Sequence, residues 1–265
     1  MDKADEEFIK KNKLEGQFTA ERTDRCLELM KPEIRKLVSL PLEAKIKKSQ
    51  EIIKESLAKY KNVGLGFSGG GDSEVILHLT LPIKHDIPIV FVDTRYEFPE
   101  TLQFVEGVRE TWNFENFMAV RAEKDMVKEF TEEYGYKTPD FTIAFNNYHK
   151  IQPMLRAIKL LRLDAFIAGI RGVEHEERAK ESFFSPRKDP DHVRVHPILF
   201  WTRKDVLEYF KKYNLKSNPL YAKGYTSLGS TLDTTPNTDP NAHERAGRGI
   251  VRETVMKKLR ELGYN

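Results

Sequence analysis

The stretch NVGLGFSGGGDSEVILHLTL, residues 62–81, carries the decision about the fold. Its opening, NVGLGF, is a short apolar run of strand length that ends at a turn signal, the pattern of a buried strand. From Glu74 to Leu81 a helix is expected. Between them lie Ser68, Gly69, Gly70, Gly71, Asp72 and Ser73. Such a loop delivers the chain to a helix N-terminus, where bare backbone N–H groups and the positive end of the helix hold an anion. Glycines let backbone approach a phosphate, and three in a row exceed what a simple turn requires. The competing reading is a tight turn in which Asp72 or Ser73 is an ordinary N-cap. PIVFVD, residues 88–93, reads as the next strand, completing a strand, helix, strand unit.

Downstream the alternation continues. A helical stretch from Pro99 to Trp112 precedes a strand at 117–122, helices near Lys124 to Tyr134 and His149 to Leu161, and a strand at 165–170. Residues 193–198 read as a further strand, Arg203 to Tyr213 as a helix, and Val251 to Leu262 as a last short one. Strands alternating with helices predict an α/β fold: a mostly parallel twisted sheet, Rossmann-like, with helices on both faces. Upstream, Leu42, Ile46, Ile53 and Leu57 recur at helical spacing between Pro41 and Tyr60, and another helix is expected from Ala20 to Val38, interrupted near Pro32. The expected organisation is an N-terminal helical extension (1–60), a nucleotide-binding domain (61–215) and a C-terminal tail (216–265). Residues 222–250 combine glycines with arginines, so that segment is expected to close over a ligand.

The 265 residues hold 44 Lys and Arg against 41 Asp and Glu, a net charge of +3. That balance gives no reason to expect wholesale binding to nucleic acid, and the N-terminal region has no recognisable RNA-binding module. No apolar run approaches the roughly 18 residues of a membrane-spanning helix. The charged start, MDKADEEFIKKNK, lacks the apolar stretch of about 7 to 15 residues of a secretory signal, so a cytoplasmic protein is expected. The one cysteine, Cys26, has no partner for an internal disulfide, and no Cys/His grouping has zinc spacing. Neither zinc nor an iron-sulfur cluster is expected.

Gly66 to Ser73 nearly satisfies the Walker A pattern, but Asp72 stands where a lysine should be, which replaces a phosphate-binding cation with an anion. SGGGDS instead matches SGGxDS, the PP-loop of the ATP pyrophosphatase superfamily, with Gly71 at a variable position that is often lysine. VFVDTRYEFPET (90–101), FIAGIRGVEHEERAKESFFSPR (166–187), HPILFWTRKDVLEYFKKYNLKSNPLY (196–221), GYTSLGSTLDTTP (224–236) and HERAGR (243–248) resemble segments of the PAPS reductase and sulfate adenylyltransferase small-subunit family. The resemblance implies an adenine nucleotide alpha hydrolase-like fold. It implies that Ser68, Gly69, Gly70, Gly71, Asp72, Ser73, Asp93, Gly169 and Arg171 bind the nucleotide, and that Asp72, Arg171, Arg178 and Lys180 serve catalysis. Arg178, Arg245 and Arg248 would hold sulfate or phosphate, and Asp72 and Asp93 would hold Mg²⁺. The residue chemistry agrees: with Arg187 and Arg194 added, these cations look too many for a core, and guanidinium groups pair well with oxyanions. Asp93 alternatively caps the turn after its strand. One departure is Gly172, where several relatives place a second basic residue after the arginine.

Reductases of this family attack the sulfonyl group of their nucleotide with a cysteine thiolate near the C-terminus, and this chain has no cysteine after Cys26. Reduction is therefore not expected. The leading expectation is adenylyl transfer from Mg-ATP to sulfate, giving adenylyl sulfate and pyrophosphate, beside a GTPase partner subunit; a homo-oligomer is also compatible. One alternative is adenylyl transfer to FMN, on the strength of Thr235-Pro236-Asn237 after the GYTSLGS loop. Another is a family member that binds the nucleotide but lacks the catalytic cysteine.

Overall fold

A computed structural model describes residues 21–237, 239 and 243–264. The first twenty residues of the expected N-terminal extension lie outside the described residues. The sheet contains β1 (Val63–Gly66), β2 (Ile89–Val92), β3 (Phe117–Val120), β4 (Ala165–Ile167), β5 (Phe184–Arg187) and β6 (His192–Val195), in the order β3-β2-β1-β4-β6-β5. All neighbours are parallel except β5, which pairs antiparallel with β6. Leu65 of β1 lies between Ile89 of β2 and Ile167 of β4. The chain steps outward from β1 to β3, then returns to lay β4 on the other side of β1. That reversal opens a crevice at the carboxyl ends of β1 and β4, where parallel sheets bind ligands.

Side chains alternate across the strands and bury both faces. On one face Leu65, Phe67, Ile89, Phe91, Ile167 and Val195 pack beneath the helices Leu42–Lys59, Gly71–Thr80, Pro99–Trp112 and Arg203–Tyr213. Cys26, Met30 and Ile34 join that core, so the N-terminal helices share it. On the other face Val90, Val120 and Phe166 meet Met154, Ala157 and Ile158 of the helix Gln152–Leu160. Each such buried side chain contributes about 1.5–3 kcal/mol. The predicted helices on both faces are present.

Prolines set several local boundaries, the first of them where it was expected. The N-terminal helix breaks into Glu21–Leu29 and Pro32–Arg35, as the proline requires. β5 was not expected; it contains Pro186, which an edge strand tolerates because its N–H side need not pair. The helix expected from His149 begins earlier, at Pro139–Asn146, capped by Thr138, and runs through a π-helical turn at Asn147–Ile151 before Pro153. The last helix is two pieces, Ile250–Thr254 and Met256–Glu261. Trp201 is fully buried, and its indole N–H donates to Ser49 Oγ at 3.0 Å.

Candidate functional site

The Ser68 to Ser73 loop is closed by one hydroxyl. Ser73 Oγ accepts from the Ser68 N–H and from Ser68 Oγ, both at 3.1 Å, and donates to the Gly70 carbonyl at 2.7 Å. Gly69 has φ +72°, and a Cβ there would lie 3.0 Å from Val105, so only glycine suits the turn. Gly70 is the helix N-cap and no side chain caps the helix, which sets aside Asp72 or Ser73 as an ordinary cap. Two residues that the sequence reading missed brace the loop from 216–223. Tyr221 accepts the Gly71 N–H at 2.9 Å, and Asn218 donates to the Gly69 carbonyl at 3.3 Å. At the end of β4, a Cβ on Gly169 would lie 2.7 Å from the Asp72 carbonyl oxygen. Gly169 therefore serves the site by letting the two strand ends touch.

Around this junction lies a cavity of about 710 Å³, lined by Gly70, Asp72 and Ser73 from the loop and by Gly169 and Arg171 after β4. Arg178, from the short helix Glu176–Ala179, and Glu244, Arg245 and Arg248 of the tail complete the lining. Arg171 is fully engaged: Nε donates to Asp72 at 2.8 Å, and its two terminal nitrogens reach the Glu244 carboxylate at 3.1 and 2.6 Å. Glu174 stands 3.3 Å from the same guanidinium. Burial pushes the Asp72 carboxyl up to about 7; Arg171 pulls against this, while Glu174 and Glu244 add to it. Burial also acts to raise Glu174, but Arg178, Arg171 and Arg245 hold it far below the usual carboxylate range.

The remaining expected anion-binding residues are tied in the same manner. Arg178 pairs with Glu174, and Arg245 makes a two-pronged pair with Glu253 at 3.0 and 2.6 Å. Arg248 donates to the Leu228 carbonyl and stands 3.5 Å from Asp233; burial, then Arg252, lower it to about 10. These arginines line the cavity; the Arg178–Glu174 pair lies outside the tail, and those of Arg245 and Arg248 hold the tail to itself. Lys180 does not belong with them: its side chain is 46% exposed, paired with Glu177, and outside the cavity lining. Arg187 pairs with Glu181, also away from the lining. Arg194 corrects the view that these cations are too many for a core. It is 0% exposed on β6, with its guanidinium 4.9 Å from the centre of the Phe166 ring.

Asp93 follows β2, accepts the Arg95 N–H at 2.8 Å and pairs with Arg121 at 2.8 Å. It caps the turn rather than facing the cavity. Among the described residues no group of three or more His, Cys, Asp or Glu is arranged to hold a metal ion. With Asp72 committed to Arg171 and Asp93 to Arg121, the expected pair does not fit a Mg²⁺ site. Cys26 is 0% exposed in the core, remote from the cavity lining. The departure at Gly172 has a steric cause: a Cβ there would lie 2.3 Å from the Met30 methyl and 3.1 Å from the Leu199 carbonyl. A basic side chain has no room beneath the N-terminal helix.

Residues 62–236 match the family model of the phosphoadenosine phosphosulfate reductase domain. The chain is 31% identical over 217 residues to the phosphoadenosine 5′-phosphosulfate reductase of Alkalilimnicola ehrlichii, covering 80% of this chain and 86% of that one. In structure it is similar to the phosphoadenylyl-sulfate reductase of Candida auris, with TM-score 0.57 and 20% identity over 78% of this chain and 98% of the other. It is similar also to the FMN adenylyltransferase of Candida glabrata, with TM-score 0.59 and 18% identity over 83% and 76%. At such identities these two likenesses concern the fold alone. The expectation of an adenylyltransferase is corrected by the relatives 31 to 32% identical over most of the chain, which carry the name of a reductase. The lack of a cysteine after Cys26 does not exclude reductive chemistry.

Proposed function

The chain belongs to the phosphoadenosine phosphosulfate reductase family, and on that premise we propose that its cavity binds 3′-phosphoadenylyl sulfate, with the sulfate-bearing 5′ end at the glycine loop. The observation that carries this reading is the contact of the Gly70 to Ser73 loop with Gly169 and Arg171 at the point where the strand order reverses. Loop N–H groups and the start of the Gly71–Thr80 helix supply positive potential to the 5′ anion. Arg171 supplies a guanidinium once a ligand oxyanion takes the place of the Glu244 carboxylate.

The reaction proposed is sulfonyl transfer to a thiolate. The thiolate sulfur bonds to the sulfonyl sulfur, the bond from that sulfur to the phosphate oxygen breaks, and adenosine 3′,5′-bisphosphate leaves with the electron pair. A second thiolate then displaces sulfite and forms a disulfide. Cys26 is wholly buried, so the attacking thiol comes from outside these 265 residues. The test is calorimetric binding of 3′-phosphoadenylyl sulfate, adenosine 3′,5′-bisphosphate and ATP, followed by sulfite release with an added dithiol. Tighter binding of the two sulfur-pathway nucleotides than of ATP, and sulfite release that needs the dithiol, are expected. Pyrophosphate release from ATP without any sulfite would overturn the reading.

A further inference from the structure

Two backbone donors of the glycine loop are already taken. The Ser68 N–H points to Ser73 Oγ, and the Gly71 N–H, at the first residue of the helix Gly71–Thr80, points to the hydroxyl of Tyr221. The second bond changes what the helix start offers to a ligand. A phenol oxygen that accepts one hydrogen bond still has its own proton to give. Among the described residues Tyr221 makes no second hydrogen bond, so that proton has no acceptor there.

The local sequence fixes this hydroxyl in place. Asn218 caps the 3₁₀ turn Pro219–Lys223 by accepting the Leu220 N–H at 3.1 Å, while its own amide donates to the Gly69 carbonyl at 3.3 Å and to Thr101 Oγ1 at 3.1 Å. Leu220 is buried, and the Tyr221 N–H closes the turn onto the Asn218 carbonyl at 3.1 Å. The tight turn therefore anchors Asn218 on the loop and brings Tyr221 over it. The phenol lines the cavity. A Cβ on Gly71 would lie 3.5 Å from its oxygen, with Val206 and Phe210 of the cavity-lining helix Arg203–Tyr213 at 3.7 and 3.8 Å. Burial pushes the phenol up to about 12, the Gly71 N–H pulling against this; of the charges around it Asp72 adds to the rise, while Arg171 and Arg203 oppose it. The group keeps its proton at neutral pH.

In the sulfonyl transfer given above, the bond from sulfur to the phosphate oxygen breaks, the electron pair stays on that oxygen, and the 5′ phosphate gains one negative charge. A phosphate monoester loses its last proton near pH 6, at about the second pKa of a phosphorylated side chain, so the departing group needs no proton at neutral pH. What it needs is a hydrogen-bond donor where the charge appears. We propose that Tyr221 is that donor: its hydroxyl, held by the Gly71 N–H, hydrogen-bonds to the phosphate oxygen released as the sulfonyl group leaves. The proton remains on the phenol throughout. N–H, hydroxyl and oxyanion form a chain polarised in one direction, so the positive start of the helix acts on the leaving oxygen through Tyr221. This assignment rests on the reaction reading given above.

Tyr221→Phe removes the hydroxyl and keeps the ring, while Asn218→Ala loosens the same loop without removing that hydroxyl and so controls for a purely structural effect. In single turnovers of 3′-phosphoadenylyl sulfate with excess dithiol, Tyr221→Phe is expected to slow sulfite release at saturating nucleotide by about a hundredfold. Calorimetry without dithiol is expected to show adenosine 3′,5′-bisphosphate, whose 5′ phosphate carries the extra charge, bound about tenfold more weakly by Tyr221→Phe, and 3′-phosphoadenylyl sulfate within about threefold of wild type. Asn218→Ala is expected to shift both affinities by one common factor. If Tyr221→Phe also weakens the two nucleotides equally, with sulfite release at saturation unchanged, Tyr221 is only a brace of the loop: the assignment falls and the reaction reading stands. If the wild-type chain releases no sulfite, the reaction reading falls and takes the assignment with it.

Discussion

Glu74 shows at a single residue what the glycine loop costs its surroundings. It follows Ser73 directly, its Oε2 is buried without a hydrogen-bond partner, and burial pushes its carboxyl up to about 7. The unfolded chain ionises this group near 4.5 and the folded chain near 7, so between those values the native state holds the extra proton. Stability therefore falls as pH rises through that window, by on the order of 3 kcal/mol once both states are ionised. Glu74→Gln keeps the shape and removes the charge. Thermal melts should show a gain in melting temperature at pH 8 that shrinks by pH 5; an equal gain at both would mean that ionisation of Glu74 is not the cause. None of this was readable from the sequence, where Glu74 is simply the first residue of an expected helix. Likewise HERAGR (243–248) offered its two arginines as anion ligands, but nothing in the spacing said that Glu244 would fasten onto Arg171. Residue types announce which charges exist, and only the folded chain decides which of them meet.

Among the elements, legibility followed periodicity and punctuation. The Pro99–Trp112 and Arg203–Tyr213 helices stand where their apolar spacing put them, and the glycine loop was found because its glycines serve backbone conformation and close approach, which are local properties. β5 was not legible, since Pro186 argues against a strand unless the strand is known to be at an edge. How helices are tied to one another was also hidden. Lys45, buried in the helix Leu42–Lys59, reaches Asp205 at 2.5 Å, and Asp205 in turn accepts the Thr202 N–H at 2.6 Å, closing the capping box that starts the cavity-lining helix. In the sequence Lys45 looks like a solvent-facing position. Lys45→Ala would leave a buried carboxylate without its cation, which typically costs about 3–5 kcal/mol. Urea unfolding should register a loss of that size, with a weaker grip on nucleotide as the helix start loosens. A loss below about 1 kcal/mol would mean that the Thr202 contacts satisfy Asp205 unaided.

For the whole molecule, the strand order makes one crevice, and the tail is the part that decides its state. The family and the fold were legible because the motifs extend from the glycine loop to GYTSLGSTLDTTP, most of the span that matches the reductase domain. The chemistry was misread because one missing thiol was weighed above that span. The tail was expected to be loose until a ligand arrived. In the structure Arg171, after β4, grips Glu244 of the tail, while Arg245 with Glu253, Arg248 with Asp233 and Thr226, donating to the Glu244 carbonyl at 2.7 Å, tie the tail to itself. Glu244 thus occupies the guanidinium edge that an oxyanion of the ligand would use, so binding there has to displace an internal carboxylate. Glu244→Gln keeps a side chain of the same length but gives up its charge, which lowers the cost of displacement. Affinity for adenosine 3′,5′-bisphosphate should rise by about tenfold, roughly one charge-assisted pair, and limited proteolysis should cut the tail faster in the free variant than in the wild-type chain. Weaker binding in Glu244→Gln would mean the reverse, that Glu244 holds Arg171 aimed at the ligand rather than competing with it.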